Sequence, residues 1–387
     1  MSVTIRDVLK LLVGTVLVGF VATTVASASP SRSVAAPWDD SDYPAWSPDS
    51  EQIAFSSTRP FVGKGIFLME SDGTHERALT SPAFDDGETG IRAETPAWSP
   101  NGMWVAFVWA SFAQDGSFHQ GLYVARSNQL PDAPDERYVG NGACPSWSPD
   151  GLRLAATVET FSASSASDRI EVMNADGSDA EQISSGPDDL CPDWSSGDEI
   201  AYQHNGAIDV MKPDGSGDRP VIPNGSSPSW SPDGTRIAFL RNTRPRANRP
   251  TYRVFVANAD GTNAKQLTSA PATIRDLRAD WSPDGHELVF ARCDNGGRCW
   301  IFTTNDDGSG LRRLTPEKPA FCRVPHVVGK RLSQATSALH GAGCARGRTR
   351  TKHSRKVARG RVIAQSPRAG AFKRPGSKVR LLLSVGG

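Results

Sequence analysis

The sequence predicts a mainly β protein: a six-bladed β-propeller followed by a small α+β domain. Three observations predict it. The phrase Trp-Ser-Pro-Asp-Gly, or a near copy, recurs at Trp46, Trp98, Trp147, Trp194, Trp230 and Trp281. The intervals are 52, 49, 47, 36 and 51 residues, and a period of about 40–50 residues with turn signals marks a strand-rich repeat. Finally, residues 320–387 carry 16 Lys and Arg with no Asp or Glu, against 27 basic and 42 acidic residues before them. Two bodies of opposite sign share one chain.

The first element reads as an export signal, residues 1–28. Arg6 and Lys10 precede an apolar run from Leu11 to Val25, and Ala26-Ser27-Ala28 supplies small residues for cleavage. That run is shorter than the roughly 20 residues a span needs, so the expectation is cleavage, with an uncleaved anchor as the alternative. The mature chain is then extracytoplasmic, with no stable membrane span. Residues 29–37 read as a linker, 38–319 as the propeller and 320–387 as the second domain.

Each repeat contains four short strand patterns. The first ends at the Trp. The second follows the Asp-Gly turn, as in Gln52-Ile-Ala-Phe55 and Arg236-Ile-Ala-Phe239. The third recurs as Ala207-Ile-Asp-Val-Met211, and a second Asp-Gly turn leads to a fourth ending in sequences such as Gln266-Leu-Thr268. Gly accepts the positive φ of a tight hairpin and Asp caps the turn. The Trp rings are expected to fill the space between blades, so these residues read as structural.

The pattern resembles the WD40-like PD40 repeats of the TolB family, over about residues 38–315. The resemblance implies a periplasmic propeller. Only residues 29–37 separate the signal from the first blade, so the additional N-terminal domain of TolB is expected to be missing.

In a four-stranded meander, the second turn and the inter-blade link share one end of the blade. The long segments fall there: Ser111–Gln120, Phe161–Asp168 and Asn242–Thr251, with links Ser81–Glu94 and Ser269–Arg278. A face with variable loops is often the binding face of a repeat protein. It is also acidic. Its candidate partner-binding residues are Asp85, Asp86, Glu94, Asp188, Asp189, Asp193, Arg278 and Asp280. They read either as a funnel for a cationic partner, a metal or a basic peptide, or as a solvated surface that aids solubility.

Six cysteines in an exported chain imply three disulfides among 15 possible pairings. Cys144 and Cys191 occupy the same Cys-Pro-x-Trp slot in adjacent blades, where a disulfide would staple them. A two-thiolate metal site there lacks nearby His ligands. Cys293 and Cys299 face each other in a hairpin, which favours a local bridge.

From Cys322 the pattern changes. Leu332, Ala335, Leu339 and Ala342 have helical spacing, and Gly343 ends the helix. Strand-like stretches follow at 345–352, 360–365 and 378–385. Together with Val324-Pro325, Gly329, Gln365-Ser366-Pro367 and Gly376-Ser377, this resembles a PASTA domain, one helix on a three-stranded sheet. The resemblance implies contact with peptidoglycan fragments, and there Cys322 and Cys344, which bracket the helix, are expected to pair. Separately, so basic a segment seeks anions, which outside the cell are wall polymers and lipid head groups, not nucleic acid. Arg346, Arg348, Arg350 and Lys352 alternate onto one strand face. With Gln365 and Arg368 they are the candidate wall-binding residues.

No catalytic constellation stands out. The propeller of prolyl oligopeptidases resembles these repeats, yet its chemistry sits in a hydrolase domain. This chain has no Gly-x-Ser-x-Gly elbow and no His-Glu-x-x-His motif. His75, His119, His204 and His286 all lie outside the slot beside the Trp. The reading is a monomeric, non-enzymatic binding protein without cofactor or metal. Its propeller would take an unidentified protein or peptide and its second domain a cell-wall polymer. The alternatives are an envelope hydrolase with channel carboxylates and a purely structural wall protein.

Overall fold

The computed structural model describes residues 41–59, 63–80, 92–112, 118–129, 135–161, 166–315, 322–373 and 377–386. The expected signal and linker lie outside them, as do Asp85 and Asp86. The chain divides between Thr315 and Pro316 into two compact units. Among the described residues, no helix is long and apolar enough to cross a membrane.

The described strands of the first unit form six antiparallel four-stranded meanders, taken here as blades 1 to 6. Their first strands are Ser41–Trp46, Arg92–Trp98, Ala143–Trp147, Asp189–Trp194, Ser226–Trp230 and Ile274–Trp281. Blades 1 and 2 share a sheet through a single parallel pair, Lys64 with Arg92. The first strands neighbour one another in a closed circuit, blade 6 meeting blade 1.

The repeat phrase builds the first turn of each blade. Ser231 Oγ donates to Asp233 Oδ1 (2.6 Å) and accepts from Arg236 N (2.9 Å), while Asp233 Oδ1 also accepts from Thr235 N (3.0 Å). Ser47/Asp49, Ser148/Asp150 and Ser282/Asp284 repeat this geometry. The serine hydroxyl is the main reason Asp233 is held down at about 2. The fourth strands are short because a hydroxyl replaces part of the ladder. Thr80, Ser184, Thr268 and Thr315 accept the backbone N–H of Ile66, Ile170, Val254 and Ile301 at 2.8–3.1 Å.

Each repeat Trp packs on the preceding blade. Trp147 lies with Ala106, Leu122 and Val124, Trp230 with Ala201, Ile208 and Val210, and Trp281 with Ala238, Leu240 and Val254. Trp46 lies against Val289, Ala291 and Ile301 of blade 6. Among the described residues every blade is one contiguous stretch of chain, so the ring closes by this side packing without exchanging a strand. The second Asp-Gly turn also fits the preceding blade. Gly177 has φ 88°, and a Cβ there would overlap the Val139 carbonyl of blade 2. Gly73 (φ 89°) makes the same approach to Leu314 of blade 6.

The hairpin loops of blades 2 and 3 are shorter than the sequence predicts, while 243–251 joins its strands as a loop. Strands Trp104–Phe112 and Phe118–Arg126 pair out to Phe112 with Phe118, and Arg153–Phe161 with Ala166–Asn174 pair out to Phe161 with Ala166. Hydrogen bonding carried the ladders into polar sequence that reads as loop. The Ser269–Arg278 link likewise gives way to strand from Ile274.

The second unit has one helix, Leu332–Gly341, against a sheet in the order Ala345–Lys352, Lys378–Ser384, Val362–Ser366. The first pair is parallel and the second antiparallel. Val327, Ala335, Leu339, Val362, Val379 and Leu381 form its core. A small additional pair joins Cys322–Arg323 to Phe372–Lys373. The disulfides are Cys144–Cys191, Cys293–Cys299 and Cys322–Cys344, with Cα separations of 4.9, 4.0 and 4.4 Å.

Candidate functional site

The inner strands carry a repeated irregularity. Three residues before each repeat Trp stands a non-glycine residue with positive φ: Tyr43 (50°), Thr95 (52°), Cys144 (49°), Cys191 (47°), Ser227 (49°) and Arg278 (21°). The first-strand ladder shifts register in this region in every blade. Such bulges re-aim side chains, and left-handed conformations at bulky residues are kept only where surroundings enforce them. Cys144 and Cys191 are adjacent members of this ring, which is why their sulfurs meet.

The residue just before the Trp latches one blade to the next. Trp46 N donates to Asp280 Oδ2 (2.7 Å), Trp230 N to Asp193 Oδ2 (2.6 Å) and Trp194 N to Ser146 Oγ (3.0 Å). Ser229 Oγ donates to Asp280 Oδ1 (3.3 Å). Burial pushes Asp193 up to about 7 and Asp280 up to about 6, with Arg278 nearby opposing both. The sign is that of a carboxyl raised above its ordinary value. The stabilisation is present at low pH and is lost as pH rises through the folded value. Asp193→Asn keeps the acceptor for Trp230 without titrating. It is expected to raise stability at pH 8 by about 2–4 kcal/mol, at 1.4 kcal/mol per unit, and to change little at pH 4. Urea titrations at both pH values check this, and a pH-independent difference would contradict it.

Several of the described loop-face residues are engaged within the protein. Glu94 and Asp42 both pair with Lys64, each at 2.9 Å. Asp189 is 1% exposed, its oxygens accepting Gly186 N (2.9 Å) and lying 2.6 Å from His204 Nδ1. That carboxylate raises the His204 imidazole above its ordinary value. Asp193 and Asp280 hold backbone donors, with Arg278 beside them. Asp188 is exposed.

The structure adds residues that the sequence reading missed. Asp168 of blade 3 and Asp209 of blade 4 are buried, at 6% and 7% exposure, and each leaves Oδ1 without a hydrogen-bond partner. Burial, then Glu159, Asp188 and Asp189, pushes Asp168 up to about 7. The same blade pair has a notch at its other end. Trp194-Ser195-Ser196-Gly197 lacks the Pro and Asp of the full phrase. Elsewhere the turn glycine meets the preceding proline, as Gly102 meets Pro48 and Gly151 meets Pro100. At blade 4 a cavity of about 700 Å³ opens, lined by Arg153, Glu181, Asp198, Glu199, Lys212 and Asp214 among others.

In the second unit Arg346, Arg348, Arg350 and Lys352 are exposed on strand Ala345–Lys352. Arg348, Arg350 and Arg380 border a groove of about 460 Å³ that Ala364, Ser366 and Leu382 also line. Arg380 was missed, though the Lys378-Val379-Arg380 alternation signals it. Arg368 is exposed. Gln365 also borders the groove, but its amide is engaged: Oε1 accepts Val327 N (2.8 Å) and Nε2 donates to Pro325 O (2.9 Å).

A family model for the TolB beta propeller domain matches residues 160–331, and one for the PASTA domain matches 323–385. The chain carries a TolB-like propeller and a C-terminal PASTA domain. The Protein TolB homolog of Chlorobium luteolum is 31% identical over 173 residues, 43% of this chain and 37% of that protein. The chain therefore spans well under half the length of that relative. The crystal structure of TolB from Acinetobacter baumannii superposes with TM-score 0.53 at 18% identity, over 72% of this chain and 64% of that one. A puromycin-hydrolyzing peptidase of Mycobacterium tuberculosis gives TM-score 0.49 at 15% identity, over 76% and 57%. At 18% identity the likeness to the TolB structure concerns the fold alone.

Proposed function

We propose that this chain is an exported, non-enzymatic binding protein of the bacterial cell envelope. Its PASTA domain contacts an anionic wall polymer and its propeller is a platform for a protein or peptide. The observation that carries this reading is the basic sheet face. Arg348, Arg350 and Arg380 surround an open groove, in a segment whose sequence has no carboxylate side chain to neutralise them. Guanidinium groups around an open groove suit phosphate or carboxylate groups on a polymer. Asp193 and Asp280 accept backbone donors from neighbouring blades, so they serve as latches and take no part in the proposed binding.

Sedimentation with purified cell walls tests the reading. The full chain should co-sediment and be released by salt, since exposed charges are screened beyond about 8 Å at physiological ionic strength. The triple variant Arg348→Gln/Arg350→Gln/Arg380→Gln should bind about tenfold more weakly, a loss of about 1.4 kcal/mol. Undiminished binding by that variant would remove the basic face from the account.

A further inference from the structure

We propose that the junction of blades 3 and 4, at the end where Asp168 meets Asp188, binds a cationic side chain, the guanidinium or ammonium group of a partner's Arg or Lys. The inference rests on the reading of the propeller as a protein or peptide platform, and it assigns that partner a chemistry and a place. The site is built by topology. Asp168 stands opposite Glu159 across the long hairpin of blade 3. A parallel bridge joins Asp168 to Asp188 of the link into blade 4, where Asp168 N donates to Pro187 O (2.9 Å). Asp189 follows and is consumed by Gly186 and His204. Asp209, paired with Tyr202 across the next ladder, lies within electrostatic reach of Asp189 and His204.

Two buried carboxylates here each have an oxygen without a hydrogen-bond partner, Asp168 Oδ1 and Asp209 Oδ1. By contrast, two other buried Asp side chains are engaged at both oxygens: Asp276 by Arg292 and Thr268, and Asp189 by His204 and Gly186. A buried carboxylate without a partner is costly, and an arriving cation with N–H donors repays that cost. Among the described residues, the charges acting on Asp168 are acidic: Glu159, Asp188 and Asp189. Exposed Asp188 provides the entrance and Asp168 the floor. Among the described residues no acidic or His/Cys group has metal-binding geometry, which favours an organic cation over a metal ion.

The test uses the full chain and a fluorescein-labelled tetra-arginine peptide, read by fluorescence anisotropy at about 0.15 M salt. Asp168→Asn is the site variant. Glu51→Gln, at an exposed turn, makes the same charge change elsewhere. Asp168→Asn should weaken peptide binding about tenfold, with Glu51→Gln within about twofold of wild type. The thermal midpoint of Asp168→Asn should be no lower than that of wild type, because the amide removes a buried charge. Equal losses in both variants would reduce the effect to general attraction by an acidic propeller and overturn the site. No binding by wild type would overturn the cationic ligand class. Wall sedimentation and partner capture by Asp168→Asn would then judge the broader reading separately.

Discussion

Trp46→Ala is expected to destabilise the propeller by about 3–5 kcal/mol, the range for truncating a large aromatic in a packed core. Trp281→Ala should cost a similar amount. The comparison matters because Trp46 closes the ring, while Trp281 lies at an ordinary junction between consecutive blades. Trp46 is 7% exposed and Trp281 4%, each set against the preceding blade's strands. Among the described residues ring closure has no shared strand to reinforce it; its contacts include Trp46, the Trp46 N to Asp280 bond, the Arg312 bonds to Ser71 O and Asp72 O, and the Gly73 approach to Leu314. Urea unfolding followed by far-UV circular dichroism measures both variants. A cost below about 1 kcal/mol for Trp46→Ala beside a full cost for Trp281→Ala would mean that the first blade is not locked into the ring.

Asp276→Ala is the second large effect, at about 3–5 kcal/mol. Asp276 is fully buried and receives Arg292 Nε (2.6 Å), Arg292 Nη2 (3.2 Å) and Thr268 Oγ1 (2.5 Å). The Arg292 guanidinium also lies over Phe290 and Phe302, at 5.2 and 5.4 Å from the ring centroids. Removing the carboxylate strands a buried cation. Removing both charges is different: Asp276→Leu/Arg292→Leu should recover most of the loss, since replacing a whole buried pair by apolar groups is often neutral. A double variant as unstable as Asp276→Ala would show that the packing of the arginine, and not its charge, dominates. Asp276 falls in the Ser269–Arg278 link, which reads in the sequence as loop, but the fold takes it out of contact with solvent.

Local devices were the legible ones. The serine and aspartate of each turn bond to atoms two to five residues away, so spacing alone implies them. The Cys144 and Cys191 pairing followed from equivalent slots in neighbouring repeats, because a repeat converts sequence position into spatial position. The alternating arginines of Ala345–Lys352 were legible because strand periodicity places alternate side chains on one face.

How the acidic candidates are engaged was not legible in the sequence, for a physical reason. Charge density along the chain does not tell whether a carboxylate meets water, a cation or a backbone N–H. Asp189, Asp193 and Asp280 meet protein donors, and Glu94 meets Lys64. Asp168 sits between Ser167 and Arg169 and Asp209 between Ile208 and Val210, and in neither strand does periodicity hint that an oxygen lacks a partner.

By itself, then, the sequence determined the repeating blade, its turns, the Trp packing between blades, the paired cysteines and the basic PASTA strand, all consequences of short-range spacing and periodicity. Tertiary structure alone decided how the ring closes, since Trp46 and Asp280 are 234 residues apart. It also decided which carboxylates are consumed and which stay unpartnered. Closure and pairing depend on which blades become neighbours, and burial gives those few contacts far more weight than the surface charges the sequence displays.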